Sequence, residues 1–133
     1  MNHWLLKTEP STYSWDTLVN EKTGIWDGVR NHQAKLNLQK MKKGDLAFIY
    51  HTGDEKSIVG VAVVVEGAFP EPGAEEWTSV RIQAKKKIKK PVSLTAIKSD
   101  KNLSQISLVK MSRLSVHALS KESFDRILDM SEK

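Results

Sequence analysis

Four residues with the chemistry to bind a planar, polar ligand stand together in the segment IWDGVRNHQA, residues 25–34. The ring of Trp26 can stack on a nucleobase, a contact that contributes about 1–3 kcal/mol, or it can simply fill the core. Gly28 lets the backbone approach a ligand closely. Arg30 can bind a phosphate or a carbonyl group. Asn31 can either cap the following helix or present a donor and an acceptor to a base edge.

A row of cations forms a second candidate site. Lys85, Lys87 and Lys89 alternate along one predicted strand, and Arg81 lies further along the same face. Alternate strand residues are about 6.6 Å apart, so such a row can follow a phosphate backbone. The same lysines would equally protect an exposed sheet edge against pairing with another sheet. The pattern alone leaves both interpretations open.

Motifs of catalysis and metal binding are missing from the sequence. It has no G-x-S-x-G elbow, no Walker loop and no G-x-G-x-x-G. The absence of cysteine excludes disulfides, thiolate nucleophiles and cysteine-based zinc sites. No two histidines have the i, i+4 spacing of a helical zinc motif. We therefore predict no catalytic residue, no metal and no cofactor.

The length and composition favour one globular domain, residues 1–133. The hydrophobic content of 39% and the charged content of 28% are typical of soluble proteins. No apolar run reaches the roughly 20 residues that cross a bilayer, and the N-terminal segment does not resemble a signal peptide. We therefore expect a cytoplasmic protein without membrane contact. The net charge of +5 favours a polyanionic partner without identifying it.

Hydrophobic periodicity predicts a mixture of strands and helices. Strands are predicted at residues 3–7, 46–51, 58–69, 77–90 and 113–118. Helices are predicted after four residues with good capping side chains: Ser14, Asn31, Ser93 and Ser120. Trp26 is placed in a loop, because Gly24 is expected to end the first helix.

The connections between the strands indicate how the sheet is built. The pairs 46–51/58–68 and 58–68/77–90 have short connections, which favours antiparallel neighbours. Residues 58–69 are apolar at both odd and even positions, as in a strand that is covered on both faces. The prediction is an α+β domain with a small, curled, mainly antiparallel sheet.

Six collinear segments resemble the EVE domain family and together span nearly the whole chain. They are WLLKTEP at 4–10, WDGVRNHQA at 26–34, MKKGDLAFIYH at 41–51, IVGVAVV at 58–64, KKPVSL at 89–94 and SRLSV at 112–116. The resemblance implies a PUA-like β-barrel flanked by helices and related to YTH and ASCH domains. It also implies binding of modified nucleobases, in particular methylated or hydroxymethylated cytosine in DNA.

Carried onto this sequence, the resemblance implies a base-binding pocket built from distant segments. Its residues would be Lys7, Thr8, Glu9, Pro10, Trp26, Val29, Arg30, Asn31, Tyr50, His51, Arg113 and Ser115. A flipped-out base would stack on Trp26, while Glu9 would accept a hydrogen bond from its exocyclic amine. Arg30, Arg113 and the strand lysines would hold phosphates.

Two departures from the family pattern leave the base selectivity open. Segment 71–77 is shorter than in many members, and His32 stands where the family pattern has tyrosine. Two other functions also remain open. One is an RNA-binding module, because contacts to 2′-hydroxyl groups cannot be read from a sequence. The other is a small enzyme acting on modified bases or nucleotides, with Glu9 or His51 as its acid–base group.

Overall fold

In the computed structural model, which describes residues 1–132, one six-stranded sheet is flanked by helices. The elements are β1 His3–Thr8, α1 Trp15–Glu21, β2 Thr23–Trp26, α2 His32–Lys40, β3 Leu46–His51, β4 Ser57–Glu71, β5 Ala74–Ser93, α3 Leu94–Ser99, α4 Ser107–Lys110, β6 Val116–Leu119 and α5 Lys121–Ser131. Within the described residues, no helix combines the length and the hydrophobicity that crossing a bilayer requires.

The strands follow the order β2-β5-β4-β3-β1-β6 across the sheet. Only β1 and β3 are parallel among the described pairs, and the other neighbours are antiparallel. Both predicted pairs, 46–51/58–68 and 58–68/77–90, are therefore confirmed. The register between β4 and β5 shifts at several points, and bulges of this kind bend and twist long strands. The expectation of a curled, mainly antiparallel sheet is confirmed.

Apolar side chains cover both faces of the sheet. Leu6 belongs to one cluster of buried side chains and Leu5 to the other, since successive strand residues point to opposite faces. The first cluster includes residues of α1 and α2: Trp15, Leu18, Ala34 and Leu38. In the second, Phe124 of α5 stacks on Phe48 with ring centroids 4.1 Å apart. Strand β4 contributes to both clusters, which confirms that it is covered on both faces.

The four predicted helix starts are all present. Each capping side chain accepts a hydrogen bond from the backbone N–H three residues later. The caps are Ser14, Asn31, Ser93 and Ser120. These starts could be predicted because a cap depends on local sequence alone.

The region before α2 differs from the prediction. Trp26 does not lie in a loop: it ends strand β2 and pairs with Val80 of β5. The loop prediction was wrong because β2 has only 4 residues, too few to show an alternating pattern, and contains a glycine. Pairing with β5, a distant part of the chain, is what makes this segment a strand.

Two further predictions need correction. The last strand covers residues 116–119 rather than the predicted 113–118, and His117 within it is fully buried although it is polar. Hydrogen bonds with Ser107 and Leu114 make that burial possible. In β5, Val61 pairs with Lys86 while Ala62 pairs with Ala84, so a bulge at Lys85 interrupts the predicted alternation.

Candidate functional site

A cavity of about 370 Å³ opens at the Trp26 end of β2, between the end of β1, the turn after it and the loop that leads into α2. We name it the first cavity. Its lining residues are Lys7, Thr8, Thr12, Tyr13, Ile25, Trp26, Asp27, Gly28, Val29, Arg30 and Ser115. Six of them belong to the predicted pocket: Lys7, Thr8, Trp26, Val29, Arg30 and Ser115. The volume is at the small end of ligand-binding cavities and suits one planar base.

The loop between β2 and α2 is held by a carboxylate from the end of β4. The Gly28 N–H donates to Glu71 Oε1 at 2.7 Å. The Arg30 guanidinium donates to both oxygens of the same group, at 2.9 Å to Oε1 and 2.6 Å to Oε2. Only 8% of the Glu71 side chain is exposed, and the hydrogen bonds from Arg30 lower the pKa of its carboxyl group. The ionised Glu71 carboxylate therefore holds the Gly28 backbone and the Arg30 side chain of this cavity wall at the same time.

The same geometry defines the role of Arg30. Its charge is neutralised by a bidentate ion pair, and its guanidinium lies 5.3 Å from the centre of the Trp77 ring. Both interactions restrict the side chain at the cavity rim. Arg30 thus stabilises the cavity wall, and little of its charge is left for a phosphate.

Two aromatic rings meet at the back of the cavity. Trp26 is only 6% exposed and packs edge-on against Tyr13, with ring centroids 5.9 Å apart. The Tyr13 hydroxyl donates to Glu21 Oε1 at 2.8 Å, and burial together with this bond raises the pKa of Tyr13. Gly24 makes room for that hydroxyl, since a Cβ there would lie 2.4 Å from it. Tyr13 is only partly buried, so its ring is more exposed to the cavity than the ring of Trp26.

The lining of the first cavity includes a positive charge, a negative charge and a hydroxyl group. Lys7 Nζ donates to the Ser112 carbonyl at 2.7 Å, and burial lowers the pKa of this ammonium. Thr8 Oγ1 donates to the Tyr13 carbonyl at 2.8 Å. Asp27 is the one carboxylate among the described lining residues, and it is exposed. The cavity can thus offer both a donor and an acceptor to a bound heterocycle.

Six residues of the predicted pocket lie outside this lining, and four of them line none of the three cavities described here. Glu9 is exposed and accepts from Thr52 Oγ1 at 3.2 Å, and Pro10 stands in the turn after β1. Tyr50 belongs to the second buried cluster. His51 is also buried: the Trp15 N–H donates to its Nε2, and its Nδ1 lies 3.0 Å from a Glu55 oxygen.

Neither group considered for acid–base chemistry lines the first cavity. Both ring nitrogens of His51 already have hydrogen-bond partners, and Glu9 faces Thr52 and Gly53. Residues 1–132 also contain no group of His, Asp and Glu side chains suited to hold a metal ion.

Asn31 and Arg113 lie in a second cavity of about 330 Å³. Its other lining residues are Gln33, Lys110, Met111, Ser112 and Leu114. Asn31 Oδ1 accepts from the Ala34 N–H at 3.0 Å, so the helix cap uses its acceptor.

The four β5 cations that were predicted to contact phosphates do not share one environment. Lys85 and Lys87 border a third cavity of about 530 Å³, at the Thr23 end of β2, together with Lys22. Arg81 is paired with Glu66, Nε to Oε1 at 3.1 Å. Lys89 is exposed and lines none of these three cavities.

Sequence comparison identifies the family. The family model described as "EVE domain" matches residues 2–130. The chain belongs to the EVE domain family. Thymocyte nuclear protein 1 of Homo sapiens is 31% identical over 168 aligned residues, which cover 99% of this chain and 75% of the human protein.

Solved structures share the fold of this EVE domain. An NMR structure of a Rhodopseudomonas palustris protein has a TM-score of 0.94 at 40% identity, covering 99% of this chain and 94% of that one. Human THYN1, solved in complex with DNA that contains 5-methylcytosine, has a TM-score of 0.92 at 30% identity, with coverage of 100% and 99%. The expected PUA-like α+β fold is confirmed.

Residues of the first cavity that the sequence did not predict come from two places. Thr12 and Tyr13 lie in the turn before α1, and Ile25 and Asp27 flank Trp26. Tyr13 carries a usable signal, because an aromatic residue directly before a helix cap is expected to pack locally. Glu71 carries none: it is 43 residues from Gly28 and meets it only through the folding of the sheet.

Proposed function

We propose that this EVE domain is a nucleic-acid-binding module that reads a modified base, namely methylated or hydroxymethylated cytosine in DNA, flipped into the first cavity. The observation that carries the proposal is the base-sized cavity beside Trp26, which presents both a hydrogen-bond donor and an acceptor. The complex of human THYN1 with 5-methylcytosine DNA supports it, because that protein shares the fold along the whole chain.

Energetics require several interactions in the cavity. Extruding a base from a duplex costs a few kcal/mol. Trp26 exposes only 6% of its surface, so it contributes the back of the cavity rather than a full stacking face. The half-buried ring of Tyr13, held by Glu21, supplies the remaining aromatic surface. Stacking then lies at the low end of about 1–3 kcal/mol, and polar groups supply the rest.

The polar groups fit the edge of cytosine. A carboxylate accepts from the N4 amine of this base, and an ammonium group can donate to its carbonyl oxygen. Asp27 has the first role and Lys7 the second. The sequence favoured Glu9 for the carboxylate, but the placement of Asp27 on the cavity wall makes it the better candidate.

Methyl recognition adds a small increment. Val29 and Ile25 provide apolar surface in the cavity. One buried methyl carbon contributes about 0.8 kcal/mol, which corresponds to a preference of roughly fourfold. The preference for methylated over plain cytosine is therefore expected to be modest.

Binding of otherwise identical oligonucleotides tests the proposal. Fluorescence anisotropy would compare cytosine, 5-methylcytosine and 5-hydroxymethylcytosine, each in DNA and in RNA. Asp27→Asn should weaken binding of the modified-cytosine DNA about tenfold, since a charged hydrogen-bond acceptor is removed. Asp54→Asn, a change of an exposed carboxylate in the β3–β4 turn, is the matched control. Equal affinity of wild type for all three bases would refute base reading, and tighter binding of RNA would favour the RNA-binding alternative.

A further inference from the structure

We propose that the second cavity is a phosphate subsite, which binds the sugar–phosphate backbone next to the base held in the first cavity. This inference rests on the proposed function and assigns the strand path around that site. The ligand chemistry is a phosphodiester, recognised by the side chains of Lys110 and Arg113.

The two cavities adjoin through consecutive residues of the chain. Arg30 lines the first cavity and Asn31 the second, while Ser115 lines the first and Leu114 the second. Consecutive Cα atoms are about 3.8 Å apart. A strand that places one base in the first cavity therefore carries a neighbouring phosphate past the second.

The charges of the second cavity favour an anion. Lys110 and Arg113 are both exposed, and no Asp or Glu is among its lining residues. Arg113 differs from the other arginines of the described chain, which form ion pairs with Glu71, Glu66 and Asp100. Arg113 has no carboxylate partner within residues 1–132. Its guanidinium fork remains available for the oxygen pair of a phosphate.

The backbone that carries Arg113 is firmly positioned. Lys7 contributes two hydrogen bonds: Nζ donates to the Ser112 carbonyl at 2.7 Å, and the backbone N–H donates to the Ser115 carbonyl at 2.9 Å. His117 Nε2 donates to the Leu114 carbonyl at 2.8 Å. A segment held on both sides of Arg113 presents its cation with a small loss of backbone entropy on binding.

An apolar group completes the subsite. Met111 is 48% exposed and borders the same cavity. The carbon face of a deoxyribose can pack on such a side chain, while the cations hold its phosphate. These interactions position the strand and carry no information about the base sequence.

The salt dependence of binding tests whether the second cavity binds a phosphate. The variant Lys110→Gln/Arg113→Gln is compared with Lys98→Gln/Lys101→Gln, which removes equal charge from exposed residues of another segment. Affinity for modified and plain cytosine oligonucleotides is measured from 50 to 200 mM salt. The slope of log K against log salt should fall in magnitude by roughly 0.9 for each duplex phosphate that the variant no longer neutralises. The control should keep the wild-type slope.

Replacing one phosphate by an uncharged linkage identifies the phosphate that the second cavity binds. In oligonucleotides with one methylphosphonate directly 5′ or 3′ of the modified base, wild type should lose several-fold affinity at one of the two positions. The Lys110→Gln/Arg113→Gln variant should be indifferent to that replacement, while its ratio of modified to plain affinity stays unchanged.

The outcomes separate this inference from the proposed function. A normal slope and a normal methylphosphonate penalty in the double variant would overturn the subsite, even where wild type prefers the modified base. A reduced slope in a protein with no base preference would support the subsite and refute base reading. Failure of wild type to bind either oligonucleotide would overturn both.

Discussion

At the scale of single residues, the Glu71 carboxylate makes the wall of the first cavity depend on one distant group. It accepts from the Gly28 N–H and from both terminal nitrogens of Arg30. An amide in its place keeps the shape but removes the charge and one acceptor oxygen. The position of the cavity wall therefore depends on Glu71, a residue that does not itself line the cavity.

Glu71→Gln should weaken binding of modified-cytosine DNA several-fold, because the loop that carries Asp27 loses its fixed position. Anisotropy titration measures the effect. Glu75→Gln, a change of an exposed glutamate at the start of β5, is the control. Wild-type affinity in Glu71→Gln would show that the ion pair is not needed to shape the site.

His117 makes stability dependent on pH. Burial lowers its pKa from 6.5 to about 4, with a smaller contribution from the charge of Lys7. The unfolded chain therefore takes up this proton first as pH falls. The contribution of neutral His117 is fully present above pH 6.5 and is lost as pH falls towards 4. The loss amounts to at most roughly 3 kcal/mol.

Urea unfolding at pH 7.5 and at pH 4 would test this. Wild type should lose more stability between the two values than His117→Gln does, since carboxylate effects are common to both proteins. His32→Gln, a change of an exposed histidine, should behave like wild type. Parallel losses in wild type and His117→Gln would contradict the assignment.

At the scale of elements, what could be predicted from sequence depended on how local the cause is. The helix caps were predictable because Ser14 and Asn31 act three residues away, and β4 because its apolar residues form one run. Strand β2 was missed because it exists through pairing with β5, with Trp26 opposite Val80. The lining of the first cavity was predicted only in part, again because of distance along the chain. Its motif residues could be identified from the sequence, whereas a distant partner of the cavity wall such as Glu71 could not.

Packing between α1 and β4 gives a prediction about an element. A Cβ at Gly60 would lie 2.6 Å from ring atoms of Trp15, which is 3% exposed. Gly60→Ala should therefore destabilise the fold by about 1–3 kcal/mol through overpacking. In a Trp15→Leu background the same change should cost clearly less, because the smaller side chain leaves room. Equal costs in both backgrounds, measured by urea unfolding, would place the strain elsewhere.

At the scale of the whole molecule, the cavities lie in a definite order. The first and second adjoin near Arg30 and Asn31, whereas the third is at the other end of β2, near Lys22. Strand β2 rises about 3.3 Å per residue, so its two ends, at which these cavities open, are roughly 10 Å apart. The lysines of the third cavity can therefore bind only a more distant part of a strand.

The strand lysines supply the last prediction. Lys85→Gln/Lys87→Gln/Lys89→Gln should lower affinity equally for modified and plain oligonucleotides, because phosphate binding positions a strand without specifying its sequence. The salt slope should fall in magnitude by about 1–2, less than three neutralised phosphates would give, since the bulge at Lys85 breaks the regular row. Lys40→Gln/Lys42→Gln/Lys43→Gln removes the same charge elsewhere and is the control. A slope that changes equally in both triple variants would reduce the effect to net charge, and an unchanged slope would leave these lysines as protection of a sheet edge.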